Sequence, residues 1–525
     1  MLEEKLFIED SRTSLKYEIP IRNNAIKATS FKEIKLPRDG PGSTRRAQGG
    51  LKVLDTGLQN TAVVESKIAF VDGENGVVQY RGHPIEKIWN KCQFEDLAFL
   101  FIWGHLPSPK EKDKLRSDLA SSAGDIPEAV IMAIKAFPRT SAPIPMMLAG
   151  LAAYVGSDPE SVPTTMGGNI YHGNLPAVDK GIIRALAAYS VVAGLAACHR
   201  ANRPFTRPNP DGSYLENFLL MMGIVDANTG KPDPKHVYAI QRTWALSAEH
   251  GPTNSTSAFL CTASTLADPL SCLISAVSSA YGPLHFGATE VAYRVIQEVG
   301  TVENVPVLIE RVKAGEARLF GYGHRIYKTV DPRIEGAKEV LADLDAYSNP
   351  LLSVAVEIDR IAASDEYFIS RNLNANADLY GVFIYIAINI PPELIPVLMI
   401  GSRTAGMLAH WREAMGMSTF PQNFPTPLNT CIMERASCSN LAPTADLHWR
   451  HHCSGQCSTE IKAMRIVANV LLYYASMFAE RVSARIGVSI EIESIRNGLV
   501  EMEDAKKESI FNATYLALYH CRLLT

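Results

Sequence analysis

The sequence feature that most limits the fold is a helical pattern of apolar residues, which begins near residue 84 and is interrupted by helix-capping signals. Ser213 and Glu216 form a capping-box sequence ahead of the apolar residues 218–222. Asp331 followed by Pro332 predicts a capping aspartate with a proline at the first helical position. Glycine, proline and asparagine mark the connections, and no internal repeat of fixed period is present. We therefore expect a mainly α-helical chain.

The amino-terminal segment follows a different pattern. Apolar Leu15, Tyr17 and Ile19 alternate with polar side chains, in the period of two that is typical of a half-buried strand. Residues 37–50 are rich in glycine, proline and polar groups, which favours a linker or an ordered loop. Residues 1–48 are thus predicted to hold a small β element and a linker, with a new unit beginning near Leu51.

The composition excludes several classes of protein. A chain of 525 residues with 47% hydrophobic and 20% charged residues is ordinary for a globular protein of two or three domains. The formal net charge is −4, with no long run of either sign, so the basic stripe of a nucleic-acid binder is missing from the sequence. A small anionic ligand would have to be held by local basic residues.

Nothing in the sequence predicts a membrane span or a targeting signal. The longest apolar runs, residues 185–198 and 466–478, are shorter than the roughly 18 residues that a spanning helix needs, and they predict buried helices. The acidic start resembles neither a secretion signal nor a mitochondrial presequence, and the end is no peroxisomal tripeptide. Four of the nine cysteines are expected in the core and favour a reducing compartment, for which we expect the cytoplasm: Cys92, Cys198, Cys261 and Cys272.

Four short stretches carry the chemistry of this chain. Residues 249–254, 282–287, 321–333 and 377–381 together supply three histidines, an arginine and a carboxylate. These residues are His250, His285, His324, Arg333 and Asp378. Removal of a proton from carbon beside a thioester carbonyl requires a carboxylate base and hydrogen-bond donors for the oxygen that gains charge. The combination favours an enzyme that forms carbon–carbon bonds.

Taken singly, each of these residues has an ordinary alternative. An isolated Asp-Pro-Arg is more often a surface arginine beside a helix cap, and any one of 13 histidines is more often a satisfied structural residue. The sequence around these residues favours a functional role over the ordinary alternative. His285 lies in a tight turn between Gly282 and Gly287, and His250 opens a polar loop. A helix amino terminus with Arg333 beside it favours a carboxylate or phosphate, and the preceding glycines let backbone approach a ligand closely.

In order, these stretches resemble the citrate synthase family, and the resemblance runs from about residue 51 to residue 413. Further matching motifs lie at residues 72–76, 80–86, 213–222, 403–406 and 409–411. The resemblance implies a nearly all-helical homodimer with two domains per subunit. The large domain would comprise residues 49–287 and 390–420, and the small domain, residues 288–389, would close over the substrates. The expected reaction joins an acyl-CoA to oxaloacetate and releases CoA with citrate or an alkylcitrate.

The resemblance also implies roles for individual residues. Asp378 corresponds to the base that removes the α-proton, His285 to the neutral donor that stabilises the enol, and His324 to the acid that protonates the keto carbonyl. The residues expected to hold oxaloacetate are His250, Asn254, Arg333 and Arg403. Those expected to contact coenzyme A are Gly321, Gly323, Arg325 and Lys328.

Physical chemistry supports this assignment. A carboxylate is too weak a base for a carbon acid in water, and pre-positioned donors to the developing oxyanion supply roughly 2.7 to 4 kcal/mol each in other enzymes. Domain closure would desolvate Asp378 and raise its basicity. No cofactor is expected, since acyl-CoA is itself a substrate. No metal is expected either, because Asp378 is the only acid in its immediate motif.

Two departures from the family pattern leave alternatives open. Gly251 stands where the family has glutamate, and one extra residue separates His250 from Asn254. After Arg412 the next basic residue is Arg435, so the family's arginine segment that reaches the partner subunit has no match. A missing charge-assisted hydrogen bond would cost roughly 1.5 to 3 kcal/mol of binding. The alternatives are a different keto acid, an arginine supplied from elsewhere, or a divergent chain end.

Residues 421–525 match no part of the family pattern. They contain Cys431, Cys438, His448, His451, His452, Cys453 and Cys457, whose spacing fits no standard zinc finger or ribbon, so an irregular extension is favoured over a metal site. Residues 461–483 have a helix-like apolar pattern and could pack on the core or on a partner. Two alternatives to an ordinary citrate synthase remain, a long-chain alkylcitrate synthase of secondary metabolism and a catalytically silent dimeric homologue.

Overall fold

The computed structural model describes residues 4–37, 49–58 and 60–416. The predictions for residues 421–525, including the alternative zinc site and the helix at 461–483, lie outside the described residues. Most of the predicted linker, residues 38–48, lies outside them as well.

Two small antiparallel sheets open the described chain. The first has the order β1-β2-β3, formed by β1 (Lys5–Asp10), β2 (Leu15–Arg22) and β3 (Ala25–Ile26). In the first pair Ile8 lies opposite Tyr17, so the predicted alternation over residues 14–21 is confirmed as β2. The second sheet has the order β4-β5-β6, formed by β4 (Ala69–Asp72), β5 (Val77–Tyr80) and β6 (His83–Pro84). The sequence did not predict this second sheet.

The described remainder is mainly α-helical, as the capping signals predicted. The helices are α1 (Ile85–Ile88), α2 (Phe94–Trp103), α3 (Pro109–Gly124), α4 (Glu128–Lys135), α5 (Pro143–Gly156), α6 (Leu175–Arg200), α7 (Tyr214–Met221), α8 (Pro234–Ser247), α9 (Asn254–Ala263), α10 (Pro269–Ala280), α11 (Gly287–Val299), α12 (Val305–Lys313), α13 (Ile334–Asp343), α14 (Pro350–Ala362), α15 (Glu366–Ile369), α16 (Ala377–Ala387) and α17 (Ile395–Gly416). Short 3-10 helices lie at Ala28–Glu33, Pro159–Ser161, Val302–Asn304, Ala346–Ser348 and Pro392–Leu394.

One of the two capping predictions is confirmed and the other is wrong. Ser213 accepts the N–H of Glu216 at the start of α7, and the glutamate completes the capping box. Asp331 does not cap α13, because that helix begins at Ile334 rather than at Pro332. Its carboxylate instead binds the backbone N–H and the guanidinium of Arg333. The bidentate ion pair engages both carboxylate oxygens, which accounts for the difference.

The core is built around α6. All of residues 185–198 are buried, and α6 packs against α3, α5, α7 and α17. By length and composition α6 could cross a membrane, but 83% of its most apolar window is buried inside the fold, which is the pattern of a core helix. The chain bends by 119° between α16 and α17. Helix α17 is also almost fully buried. The predicted buried helix at residues 185–198 is therefore confirmed.

The described cysteines are all free thiols, and three of them are buried. Cys92, Cys198 and Cys272 lie in the interior, as expected. The prediction that Cys261 belongs to the core is wrong, because this residue is exposed on the outer face of α9.

Helix α13 packs closely on α8, which places the residues before α13 beside those after α8. A Cβ at Gly336 would lie 2.9 Å from a methyl of Leu246, so glycine permits this approach. Arg242 of α8 lies 4.6 Å from the centre of the Trp89 ring and forms ion pairs with Glu339 and Asp343 of α13. The domain boundaries given above, at residues 287–288 and 389–390, stay a prediction.

Candidate active site

Five of the predicted catalytic and oxaloacetate-binding residues come from separate parts of the fold and meet in one cluster. His250 follows α8, His285 lies in the turn between α10 and α11, and His324 lies in the loop before α13. Asp378 is the second residue of α16, and Arg403 lies within α17. The charge of Arg403 lowers the pKa of all three histidines, as expected of groups that lie close to it.

Asp378 is held at the amino terminus of α16. Its backbone N–H donates to the side chain of Asn376, which caps the helix. Its Oδ1 accepts a hydrogen bond of 2.7 Å from the hydroxyl of Thr289 on α11. Desolvation raises the pKa of Asp378, against the lowering effects of the Thr289 bond and of the Arg333 charge. The carboxylate is thus more basic than an aspartate in water.

His285 is oriented by Ser255, the second residue of α9. The serine Oγ lies 2.8 Å from Nε2 of His285. The ring of Phe286 stacks on the imidazole, with the centroids 4.6 Å apart and the planes 19° from parallel. Burial lowers the pKa of His285 to about 4, and the Arg403 charge adds to this effect. The imidazole is therefore neutral at physiological pH.

His324 has a defined tautomer. Its Nδ1 accepts backbone N–H bonds from Ile326, at 3.1 Å, and from Tyr327, at 3.2 Å. Since Nδ1 is an acceptor, the proton of the neutral ring lies on Nε2. Burial lowers the pKa of His324 to about 4, with a further contribution from Arg333. The ring is thus a neutral hydrogen-bond donor through Nε2.

His250 completes a group of three rings. Its Nε2 lies 2.6 Å from the hydroxyl of Tyr327, a fully buried residue that the sequence reasoning missed. The ring centroid of His324 lies 5.5 Å from that of His250 and 4.6 Å from that of Tyr327. Burial and the charges of Arg333 and Arg403 lower the pKa of His250 well below its usual value, so this ring is neutral too.

The two buried arginines of this cluster, Arg333 and Arg403, differ in their partners. Arg333 forms a bidentate pair with Asp331, at 2.8 and 2.6 Å. Burial opposes the charge on Arg333, but the Asp331 carboxylate outweighs it and raises the arginine's pKa. Asp331 also accepts the N–H of Ala377 at the start of α16, at 3.0 Å. The arginine predicted to hold oxaloacetate and the helix that carries Asp378 are thus held by one carboxylate.

Arg403 has no carboxylate partner within hydrogen-bonding distance among the described residues. Its Nε donates to the carbonyl of Ser247 at 2.7 Å, while its buried Nη1 makes no hydrogen bond. The guanidinium lies 5.2 Å from the centre of the Phe286 ring. Burial lowers the pKa of Arg403, and the Glu249 charge opposes this effect. A buried guanidinium with an unpaired N–H is suited to a carboxylate ligand.

A buried acid supports the loop that carries His250. Glu249 accepts the N–H of Gly251 at 2.6 Å, and its Oε1 lies 3.2 Å from Nε2 of His410. A Cβ at Gly406 would collide with the other carboxylate oxygen of Glu249. The glycine at position 406 therefore leaves room for Glu249, and His410 is its hydrogen-bond partner. The sequence reasoning missed this pairing, since 161 residues separate the glutamate from the histidine.

The structure does not bring the side chain of Asn254 into the cluster. Asn254 is the first residue of α9, is exposed, and accepts a hydrogen bond from Ser279. The cap of α9 is Thr253, whose hydroxyl accepts the N–H of Thr256. The role of Asn254 in holding oxaloacetate stays a prediction that these contacts do not support.

The predicted coenzyme A loop contains two glycines in the left-handed backbone region, which glycine adopts without strain. Gly321 and Gly323 have φ of +82° and +79°, and a Cβ at Gly323 would lie 2.8 Å from Leu373. Arg325 is exposed and donates to the carbonyls of Gly57 and Leu58, at 2.7 and 3.3 Å. Lys328 is exposed as well. Contacts of these four predicted residues with coenzyme A stay a prediction.

Metal-binding geometry is not found in residues 4–37, 49–58 and 60–416. No group of three or more histidine, cysteine, aspartate or glutamate side chains there could hold an ion.

A desolvated carboxylate, neutral imidazoles and an unpaired buried guanidinium on a helical scaffold define a site for acid–base chemistry on an anionic substrate. A sequence profile described as "Citrate synthase, C-terminal domain" matches residues 57–420. The chain belongs to the citrate synthase family. It is an enzyme of citrate synthase type, and it condenses an acyl-CoA with oxaloacetate to give citrate or an alkylcitrate.

Individual relatives agree with this family. The chain is 48% identical to the citrate synthase-like protein oryE of Aspergillus oryzae, over 79% of this chain and 93% of the relative. It is 44% identical to the alkylcitrate synthase phiJ of a fungal species, over 78% of this chain and 90% of the relative. Citrate synthase from Thermoplasma acidophilum, solved with carboxymethyl coenzyme A and oxaloacetate, has a similar fold. The TM-score is 0.64 at 25% identity, over 76% of this chain and 98% of that chain.

Proposed function

We propose that this protein is an alkylcitrate synthase, which condenses oxaloacetate with an acyl-CoA longer than acetyl-CoA. The observation that carries the catalytic proposal is the desolvated carboxylate of Asp378 in the same cluster as neutral His285 and His324. The choice of a longer acyl group rests on the 44% identity to phiJ, which is named an alkylcitrate synthase. We further propose a homodimer in the cytoplasm that needs no cofactor besides its two substrates.

In the first step, Asp378 would remove a proton from the carbon beside the thioester carbonyl. Desolvation raises the pKa of this carboxylate and so brings its basicity closer to that needed to deprotonate carbon. With Ser255 donating to Nε2, the proton of neutral His285 would lie on Nδ1 and be donated to the thioester oxygen. The oxyanion charge that develops there would be stabilised without a proton being released too early.

In the second step, the enol carbon would attack the keto carbon of oxaloacetate. The Nε2–H of His324 would donate to the keto oxygen, which becomes the hydroxyl of the product. The carboxylates of oxaloacetate would lie on Arg403 and Arg333, with His250 beside them. Water would then cleave the thioester and release CoA with the alkylcitrate.

One other function remains a candidate. An acetyl-specific citrate synthase would use the same residues with a smaller acyl pocket.

A CoA-release assay tests the proposal. The enzyme is given oxaloacetate with acetyl-, propionyl-, hexanoyl- and decanoyl-CoA, and the product is identified by mass spectrometry. We expect kcat/KM to be higher with one or more of the longer chains than with acetyl-CoA. Highest activity with acetyl-CoA would contradict the alkylcitrate assignment, and no turnover with any chain would contradict the choice of these substrates.

Two variants separate the role of Asp378 from loss of structure. Asp378→Asn removes the base and should abolish CoA release while leaving the thermal unfolding midpoint within a few degrees. Asp345→Asn is the matched control, because Asp345 is an exposed residue with φ of +56°, a conformation that asparagine tolerates. Light scattering tests the proposed dimer, and fluorescence microscopy of a tagged chain tests the compartment.

A further inference from the structure

We propose that Thr289 is a positioning residue for the base, because its hydroxyl fixes which carboxylate oxygen of Asp378 takes the proton. The inference rests on the proposed function, in which Asp378 is that base. Thr289 donates to Oδ1 of Asp378 at 2.7 Å. Among the described residues, no hydrogen bond is found to Oδ2. The hydroxyl thus leaves Oδ2 as the oxygen available to the substrate.

Thr289 is well placed to act on His285 and Asp378 together. It is the third residue of α11, is fully buried, and lies four residues after His285 in the same turn. The N–H of Ala288 donates to the carbonyl of His285 at 2.9 Å, which ties the imidazole to this first turn. A Cβ at Gly287 would collide with the carbonyl oxygen of Tyr281, so glycine allows the turn to close. One rigid turn therefore sets both the thioester-facing imidazole and the donor to the base.

The hydrogen bond from Thr289 affects both the orientation and the basicity of the Asp378 carboxylate. A hydroxyl that donates to a carboxylate stabilises the charged form, and it lowers the pKa of Asp378 against desolvation. The charged groups that face Asp378 are Arg333, which acts in the same direction, and Asp331, which acts against it. Tyr385, on the same helix, also feels the Asp378 charge. Without the hydroxyl the carboxylate would rotate more freely and take up a proton at higher pH.

The experiment compares Thr289→Val, which keeps the branched shape without the donor, with Thr289→Ser, which keeps the donor. Thr243→Val is the matched control, because Thr243 is a buried helical threonine whose hydroxyl donates within its own helix, to the carbonyl of Ala239. The pH profile of kcat/KM, kcat, the KM for oxaloacetate and the thermal unfolding midpoint are measured for each variant with the acyl-CoA that gives the highest turnover.

We expect the acid limb of kcat/KM for Thr289→Val to move up by about one to two pH units, because the lost bond was made to a charged group. We expect kcat on the plateau to fall about tenfold, with the KM for oxaloacetate within twofold of wild type. Thr289→Ser should restore both the limb and the plateau to within threefold.

Two results would overturn the inference. One is a wild-type acid limb and plateau in Thr289→Val. The other is an equal loss in the valine and serine variants together with a lower unfolding midpoint, which would show a purely structural role. Asp378→Asn separates this inference from the proposed function. If Asp378→Asn is active, both fail; if it is inactive and Thr289→Val behaves as wild type, only the inference about Thr289 fails.

Discussion

The hydroxyl of Ser255 lies 2.8 Å from Nε2 of His285, although 30 residues separate the two along the chain. Ser255 is fully buried in the first turn of α9, and His285 lies in the turn that follows α10. The close packing of α9 against α10 brings the two together. The serine thus fixes one ring nitrogen of the imidazole and leaves the other for the substrate.

Removal of this hydroxyl should slow catalysis without weakening the binding of oxaloacetate. In Ser255→Ala the imidazole loses the hydrogen-bond partner that orients its ring, so we expect kcat to fall about tenfold or more. Ser257→Ala is the control, because Ser257 is half-buried and its hydroxyl donates to the carbonyl of Pro252, away from His285. Steady-state CoA release at saturating oxaloacetate measures the effect. An unchanged kcat in Ser255→Ala would show that the serine does not orient His285.

The unpaired guanidinium of Arg403 predicts a defect in oxaloacetate binding. Arg403→Gln removes the charge that its buried Nη1 offers, and the lost charge-assisted bond corresponds to a rise in KM of about ten- to a hundredfold. Arg360→Gln is the control, because Arg360 pairs with Glu357 at the surface of α14. Initial rates over a range of oxaloacetate concentrations separate KM from kcat. Equal KM values in the two variants would contradict the assignment.

The lowered pKa values of His285 and His324 predict that acid destabilises the fold. Both groups have a usual pKa of 6.5 and a folded pKa of about 4. Between these values the unfolded chain binds protons that the folded chain excludes, so the free energy of unfolding falls as the pH drops from 6.5 to 4. One histidine contributes a slope of up to about 1.4 kcal/mol per pH unit.

Urea unfolding at several pH values measures this slope. His285→Gln should reduce it within the window of pH 4 to 6.5, because one of the three histidines with a lowered pKa no longer titrates. His105→Gln is the control, since His105 is more than half exposed. An identical pH dependence in wild type and His285→Gln would show that His285 does not contribute to the slope.

Two glycines in helices predict opposite effects on stability. In Gly406→Ala the new methyl would collide with Glu249 and lie 2.9 Å from the carbonyl of Ala248, so we expect a loss of about 1 to 3 kcal/mol. In Gly381→Ala nothing lies within 4 Å of the new methyl. Alanine there should stabilise α16 by up to about 1 kcal/mol. Thermal unfolding of the two variants tests the contrast, and equal midpoints would contradict the crowding at Gly406.

The regular parts of this fold could be predicted from local patterns. The capping box at Ser213 and the alternation over residues 14–21 both depend on neighbours within a few residues, and both are present. Strands β4–β6 were missed because they are two to four residues long and too short to show a period. At Asp331 the local pattern favoured a cap, and a stronger partner two residues away prevailed.

The site was only partly predictable, since its supporting contacts join distant residues. The histidines, Arg333 and Asp378 stand in recognisable motifs. The hydroxyl of Thr289 reaches Asp378 across 89 residues, and Tyr327 reaches His250 across 77. No local pattern of charge or polarity identifies such partners. In the sequence, a threonine or tyrosine that contacts a catalytic residue cannot be told from one that only packs in the core.

The carboxylate of Asp331 accepts hydrogen bonds from the Arg333 guanidinium on both of its oxygens. It also accepts the N–H of Ala377, the first residue of α16, directly before Asp378. Under the proposed function, recognition of the keto acid and deprotonation of the thioester therefore share a single anchor. A substitution at this position would disturb both halves of the reaction at once.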